Sequence, residues 1–457
     1  MTRCLALLVG LSGVLCNAVV AAEGSAKPNI LILYADDLGY HELSCYGGKH
    51  VPTPNIDSIA AGGVRCTQGY VSAPLCSPSR AGLMTGRYQT RFSHESNNMA
   101  PEGGLPLKET TLADRMKKLG YATGMVGKWH LGSRDDYLPM KRGFDDYYGV
   151  LGNPGSYFTP HGFMDSRVSS SSIQVDDPNF YTTDAFAVRA VEWIEQHKDN
   201  PWFLYLPFNA IHSPFQATEK YRDRFKDVED KHVRELFAMT SAMDDAVGKV
   251  LAKVRDLGQE NNTLIFFISD NGAPPSHPDG NDPLRGNKHT CWEGGFKVPF
   301  MVQWKGKLPA GKVIDTPVVQ LDVMPTCVAA AGGAVKPAWK LDGVDLMPYL
   351  AGENKGRPHE DFFWRIDGMW AIRHADWKLV LGKPDATVEL FNLATDPNEE
   401  HDLASSEPSK VAELQKLWDA WNAEQASSTP KREKAAKKER NKKRAGERTK
   451  RETKKAA

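Results

Sequence analysis

The chain has 457 residues, enough for one large domain and a smaller one around a sizeable core. Its composition, 41% hydrophobic and 25% charged, is that of a globular protein and excludes a wholly disordered or fibrous chain. The formal net charge of +0 gives no general basic field for nucleic acid, but it is unevenly spread: residues 431–457 carry about ten more basic than acidic side chains, so the body is acidic.

In chain order, Arg3, the apolar run Leu5 to Leu15 and the small residues Ala18 to Ala22 read as an export signal cleaved near Ala22. The run is too short for a convincing membrane span, and Leu15 is large for a lipidation site at Cys16. No other segment is long and apolar enough to cross a bilayer. The expectation is an exported protein with residues 1–22 removed. Five cysteines then remain, Cys45, Cys66, Cys76, Cys291 and Cys327, and an odd number leaves one over. Cys76 is the natural candidate.

Short apolar runs follow at Asn29 to Tyr34, "YATGMV" before Lys128, Trp202 to Phe208, Thr263 to Ser269 and Pro299 to Trp304. Between them lie helical patterns: "TPNIDSIAAGG", with Thr53 as cap and Pro54 in the first turn; "TLADRMKKLG"; Asp184 to Gln196; and Val233 to Leu257. Alternating strands and helices predict an α/β fold. Its large, mostly parallel sheet is covered by helices on both faces, because its strands are apolar throughout. Past about Gly352 the pattern predicts a C-terminal subdomain (residues 353–426) of two or three short antiparallel strands and a helix from Ser409 to Glu424. Residues 427–457 are low in complexity with no apolar face, the composition of a disordered basic tail. That tail is either a solvated end or a tether for polyanions.

Two strands end in oxygen-rich pairs, Asp36-Asp37 and Asp270-Asn271. Ligands gather at the carboxyl ends of parallel strands, and hard oxygen donors suit Ca²⁺ or Mg²⁺ rather than Zn²⁺. One such pair alone would more often cap a turn; two after matching strands favour a metal. "GKWHLG" places Lys128 and His130 on one side of an extended segment. His212 follows another strand, and Lys288 sits in a Gly-containing loop. Singly, a histidine after a strand is more often structural. Together these residues describe a cationic pocket around a divalent metal, suited to sulfate or phosphate. Cys76 precedes a helix expected to begin near Pro78 or Ser79, with Arg80 one turn on. A helix start favours anions and anionic nucleophiles, which leaves open whether the thiolate itself reacts.

The stretch Cys76-Ser77-Pro78-Ser79-Arg80 resembles the signature of the type I sulfatases, in the alkaline-phosphatase-like superfamily. "ADDLGY", "GKWHLG", "IHSPF", "SDNG", "LRGNKHTCWEGG" and "ELFNLATDPNEEHDLA" match in order, from about Pro28 to Leu403. The resemblance implies that a maturation enzyme oxidises Cys76 to formylglycine. It implies that Asp36, Asp37, Asp270, Asn271 and the modified Cys76 bind Ca²⁺, and that Arg80 orients the formylglycine. Lys128 and Lys288 would bind sulfate oxygens, His130 would contact the formylglycine hydroxyls, and His212 would donate a proton to the leaving alcohol. A thiol attacking sulfate leaves an adduct with no easy exit; an aldehyde hydrate has one hydroxyl to attack sulfur and a second to expel sulfate. The sequence departs from the family at His41-Glu42 and at His289-Thr290-Cys291, where Cys291 is either structural or paired.

Two other readings compete. A phosphatase or phosphonate hydrolase of the same superfamily is disfavoured by the intact Cys-x-Pro-Ser-Arg. A non-catalytic binder of sulfated polysaccharide would need no modification motif. The expected substrate is a sulfated carbohydrate. Arg142, Tyr157, His161, His277, Arg285 and Trp364 fall in loops near the site, where each is more often an ordinary loop residue than a substrate contact.

Overall fold

The computed structural model describes residues 27–97 and 103–427. The expected export signal at residues 1–22 and the expected basic tail from residue 428 onward lie outside the described residues.

Every residue of the strand Asn29–Ala35 is buried. Its alternate side chains feed two cores, Ile30, Ile32 and Tyr34 on one face of the sheet and Leu31, Leu33 and Ala35 on the other. That is why the run is apolar throughout rather than alternating. The strand lies fifth in a nine-stranded sheet, in the order Lys312–Ile314, Val64–Cys66, Phe300–Gln303, Thr263–Ser269, Asn29–Ala35, Trp202–Pro207, Ala122–Lys128, Asp146–Val150 and Phe163–Asp165. The five strands from Thr263–Ser269 to Asp146–Val150 are mutually parallel. Phe300–Gln303 and Phe163–Asp165 run antiparallel to their inner neighbours.

Helices cover both faces, as expected. Cys76–Thr85, Leu112–Lys118 and Val323–Ala330 pack on one side, and Pro54–Ala61, Thr182–His197 and Lys231–Asp256 on the other. Thr111 caps its helix in a reciprocal box with Asp114. Thr53 precedes its helix without capping it, because its hydroxyl donates to Asp57 Oδ1 at 3.0 Å instead.

The C-terminal unit has four antiparallel strands, Asp361–Ile366, Met369–His374, Trp377–Leu381 and Glu389–Asn392, one more than the upper expectation, followed by the helix Pro408–Ala423. It shares a core with the main body: the Trp364 ring stacks on Phe296 at 3.9 Å. All five described cysteines are free, so Cys291 is a buried, unpaired core residue. Among the described residues, no helix is long and apolar enough to cross a membrane.

Candidate active site

The two oxygen-rich pairs meet because their strands are adjacent and in register, Ala35 opposite Ser269. The Asp270 N–H donates to the Ala35 carbonyl at 3.0 Å, and the Asp37 N–H to Asp270 Oδ1 at 3.0 Å. Asn271 Nδ2 donates to Asp37 Oδ1 at 2.8 Å. Asp37 takes φ 64°, which turns the chain sharply at the strand end. Asp36, Asp37, Asp270 and Asn271 are all buried.

The helix carrying Cys76 begins at Cys76 itself, two residues earlier than Pro78. The Ser79 N–H donates to the Leu75 carbonyl at 3.0 Å, and Pro78 falls in the first turn, where a missing N–H costs nothing. Cys76 Sγ then lies 3.8 Å from Asp37 Oδ1. Burial pushes its thiol well above the ordinary range; Lys128 opposes this and Asp270 adds to it. The helix start alone would favour a thiolate, and burial outweighs it.

Arg80, one turn on, is wholly buried. Its Nε and Nη2 donate to Asp270 Oδ2 at 3.1 and 2.7 Å, and its Nη1 to the Lys128 carbonyl at 2.9 Å. Tyr34, Ser79 and Gln320 hold the helix in place: the Tyr34 hydroxyl meets Ser79 Oγ at 3.2 Å, and Gln320 Nε2 donates to the Ser79 carbonyl at 2.9 Å.

Lys128 ends its strand and donates to Asp36 Oδ2. The residue before it, Gly127, has φ 132°, and a Cβ there would sit 1.9 Å from the Pro207 carbonyl oxygen, so only glycine lets the two strand ends approach this closely. The expected extended geometry stops at Lys128. His130 adopts φ 57°, so the two side chains are not related by strand alternation. Burial, with Lys128 and Arg80, holds His130 well below the usual imidazole range, and its Nδ1 is buried without a hydrogen-bond partner. Ser77 Oγ donates to the His130 carbonyl at 2.6 Å and accepts from His94 Nε2 at 2.7 Å. Burial pushes His94 down to about 4, so it is neutral, with its proton on Nε2.

Lys288 reaches Asp37 Oδ1 and Oδ2 at 2.6 and 2.7 Å. His212 Nε2 lies 3.7 Å from Asp37 Oδ2. Its Nδ1 meets the Ser213 carbonyl, an acceptor, so Nδ1 carries the proton in the neutral ring and Nε2 faces the site. Lys288 and His212 side chains are each 14% exposed, whereas Lys128 and Arg80 are at 0%, so the pocket opens on the Lys288–His212 side. All ten residues expected at the site are thus brought together.

The carboxylate and amide oxygens of Asp36, Asp37 and Asn271 fit a hard divalent cation, while the Cys76 thiol and His212 imidazole of the same cluster are softer donors. Asp36, Asp37, Cys76 and His212 can place one ligand atom each within 4.8 Å of one another. Asp36 Oδ1 and Asn271 Oδ1 are buried oxygens without a hydrogen-bond partner, the atoms a cation would satisfy.

The loop candidates fare differently. Arg142 is buried and donates to the Leu105 and Glu109 carbonyls. Trp364 lies in the strand Asp361–Ile366 rather than in a loop; it is buried and its Nε1 donates to the Val71 carbonyl. Arg285 pairs with Glu389 at 2.9 Å, and His277 with Glu42 at 3.0 Å. Tyr157 is buried beneath the His212 segment. His161 alone of the six is exposed.

A sulfatase family model matches residues 28–334 of this chain. The chain belongs to the sulfatase family. It is a sulfuric ester hydrolase, as the names of its relatives indicate. A second model, for the C-terminal region of N-sulphoglucosamine sulphohydrolase, matches residues 286–425 of this sulfatase. Arylsulfatase J of Mus musculus is 32% identical over 86% of this chain and 75% of its own length. Human N-acetylgalactosamine-6-sulfatase is 34% identical over 77% and 71%. The crystal structure of Ps i-CgsB superposes with TM-score 0.82 at 32% identity, covering 88% of this chain and 94% of that one.

Proposed function

We propose that this sulfatase is exported and hydrolyses sulfate esters of carbohydrates, with formylglycine formed from Cys76 by a maturation enzyme and with Ca²⁺ held by Asp36, Asp37, Asp270, Asn271 and the modified Cys76. The carbohydrate class is supported by relatives: one is named for N-acetylgalactosamine 6-sulfate chemistry, and Ps i-CgsB has a solved structure in complex with k-i-k-neocarrahexaose. Export is supported by the pattern of residues 1–22.

The observation that carries the reading is the convergence of Cys76, Lys128, Lys288 and His212 on the Asp36-Asp37 pair. Lys128 and Lys288 bring two positive charges to the Asp36-Asp37 pair, where they would hold sulfate oxygens as negative charge shifts during transfer. Bound Ca²⁺ supplies further positive charge against those oxygens. The aldehyde hydrate at position 76 supplies the attacking hydroxyl and an internal route for releasing sulfate, which a buried thiol lacks. Arg80, fixed by Asp270 and the Lys128 carbonyl, holds that position from below. His130 lines the wall with a free buried Nδ1 able to meet a hydroxyl. His212, at the open side, presents Nε2 where a leaving alcohol departs. Burial lowers its affinity for a proton, which makes the protonated ring a stronger acid toward that oxygen.

The test is kcat/KM for protein made with the maturation enzyme, measured on sulfated mono- and oligosaccharides of defined sulfate position beside the matching phosphate esters. Turnover confined to aryl sulfates would remove the carbohydrate reading.

A further inference from the structure

We infer that Tyr157 is a positioning residue for the proton-donating group of the site, an inference that rests on the reading of His212 given above. Tyr157 is fully buried, and its hydroxyl lies 2.7 Å from the His212 carbonyl and 2.5 Å from the Asn209 carbonyl. A phenol has one proton to donate, so the two carbonyls share it, and the segment Asn209 to His212 is drawn onto one point. Two backbone bonds tie the neighbouring residues to the end of the first strand, Ile211 N–H to the Asp36 carbonyl at 2.8 Å and Asp36 N–H to the Ala210 carbonyl at 2.9 Å. Among the described residues, however, Tyr157 makes the one side-chain bond to the His212 backbone. The His212 backbone N–H turns back to the Asn209 carbonyl at 3.1 Å, and its Nδ1 reaches only the neighbouring Ser213 carbonyl.

Tyr157 is itself held from three sides. Its N–H donates to Gln216 Oε1 at 2.9 Å, its carbonyl accepts from the Thr182 N–H at 2.9 Å, and its ring stacks on Tyr181 at 5.8 Å. The Tyr181 hydroxyl donates to the Gln216 carbonyl at 3.1 Å, closing the arrangement. A rigid aromatic block thus carries one hydroxyl that meets the two ends of the catalytic-histidine turn. The ring never reaches substrate; its effect is on where Nε2 stands.

A group that positions a general acid matters in proportion to how much the leaving group needs a proton. An alkoxide leaving a sugar sulfate needs one; 4-nitrophenolate does not. The experiment compares wild type, Tyr157→Phe, His212→Ala and Tyr181→Phe on a sugar sulfate and on 4-nitrophenyl sulfate, with thermal unfolding of each. Tyr157→Phe is expected to lower kcat on the sugar sulfate by roughly tenfold, as for loss of one buried hydrogen bond, and to leave 4-nitrophenyl sulfate within about twofold. Tyr181→Phe removes a neighbouring hydroxyl without touching the histidine turn and is expected to keep the wild-type ratio between the substrates. Equal loss on both substrates in Tyr157→Phe, or none, overturns the inference while a selective His212→Ala leaves the reading of His212 intact. A His212→Ala variant with no selectivity for the poorer leaving group overturns both.

Discussion

The Lys378 ammonium lies 2.9 Å from Glu293 Oε1 in a fully buried contact between the C-terminal sheet and the segment that carries Lys288. The same ammonium lies 2.7 Å from Glu399 Oε1, and the Glu293 N–H donates to Glu399 Oε2 at 2.7 Å. The Tyr70 hydroxyl donates to Glu293 Oε2 at 2.7 Å. The C-terminal unit is therefore bolted to the site loop by charge as well as by the Phe296–Trp364 stack.

Removing the lysine leaves the buried Glu293 carboxylate, with Glu399 beside it, without their shared cation. Lys378→Met is expected to destabilise the fold by about 3–5 kcal/mol, the usual penalty for breaking one side of a buried pair. Urea unfolding followed by tryptophan fluorescence measures it. A loss below about 1 kcal/mol would mean that water or another cation replaces the lysine easily.

Glu399 gives a pH dependence. Burial pushes its carboxyl up to about 7, with Lys378 opposing and Glu293 adding. In the unfolded chain a glutamate titrates near 4.3. Between about 4.5 and 7 the folded state keeps a proton that the unfolded state releases, so this group's contribution is full at the acid end and is lost as pH rises toward 7. Glu399→Gln cannot lose that proton. Its stability relative to wild type is expected to improve between about pH 5 and pH 7.5, read from urea midpoints at each pH. Parallel curves for the two proteins would show that Glu399 does not hold the proton.

Much of this was legible in the sequence, and the reasons are local. Thr263–Ser269 and Asn29–Ala35 are continuous apolar runs ended by acids, so both strands and their shared acidic end follow from pattern alone. Strand direction does not. Phe300–Gln303 looks like the parallel strands and runs the other way, because direction depends on which neighbour the chain returns to. The short strands Val64–Cys66 and Phe163–Asp165 have too few residues to show a period. At the site, residue types and order picked out ten residues that the fold brings together, while their roles rest on the proposed reading. The sequence carries no signal for the positive φ of His130, nor for the hydroxyl of Tyr157 beneath His212, since both depend on chain segments that meet only in the fold.

Cys76 is expected to be an aldehyde in mature protein. Mass spectrometry of the peptide spanning Cys76, from a host with the maturation enzyme, should show that change. Cys76→Ala should abolish turnover while the fold survives, since the side chain's polar contact is the single 3.8 Å approach to Asp37 Oδ1. Full activity in protein whose Cys76 is wholly unmodified would sink the formylglycine reading.

The metal assignment is best tested at Asn271 rather than at Asp270. Asp270 Oδ2 already accepts two bonds from Arg80, so Asp270→Ala would release Arg80 as well as a ligand, and a lost rate would have two explanations. Asn271 Oδ1 is a buried carbonyl oxygen with no hydrogen-bond partner, so its removal takes away a cation ligand and no contact of its own. Nδ2 does donate to Asp37 Oδ1 and to the Gly272 carbonyl, and Asn271→Asp, which keeps oxygen donors but loses both bonds, serves as the control for them. A ligand present at a hundred times its dissociation constant stabilises a protein by about 2.7 kcal/mol. Ca²⁺ added to chelated wild type should therefore raise the unfolding midpoint and restore turnover together. In Asn271→Ala both responses should need at least about tenfold more Ca²⁺, with Asn271→Asp closer to wild type. If chelated wild type kept its rate, or if Asn271→Ala responded to Ca²⁺ as wild type does, the oxygen cluster at these two strand ends would not be the cation site.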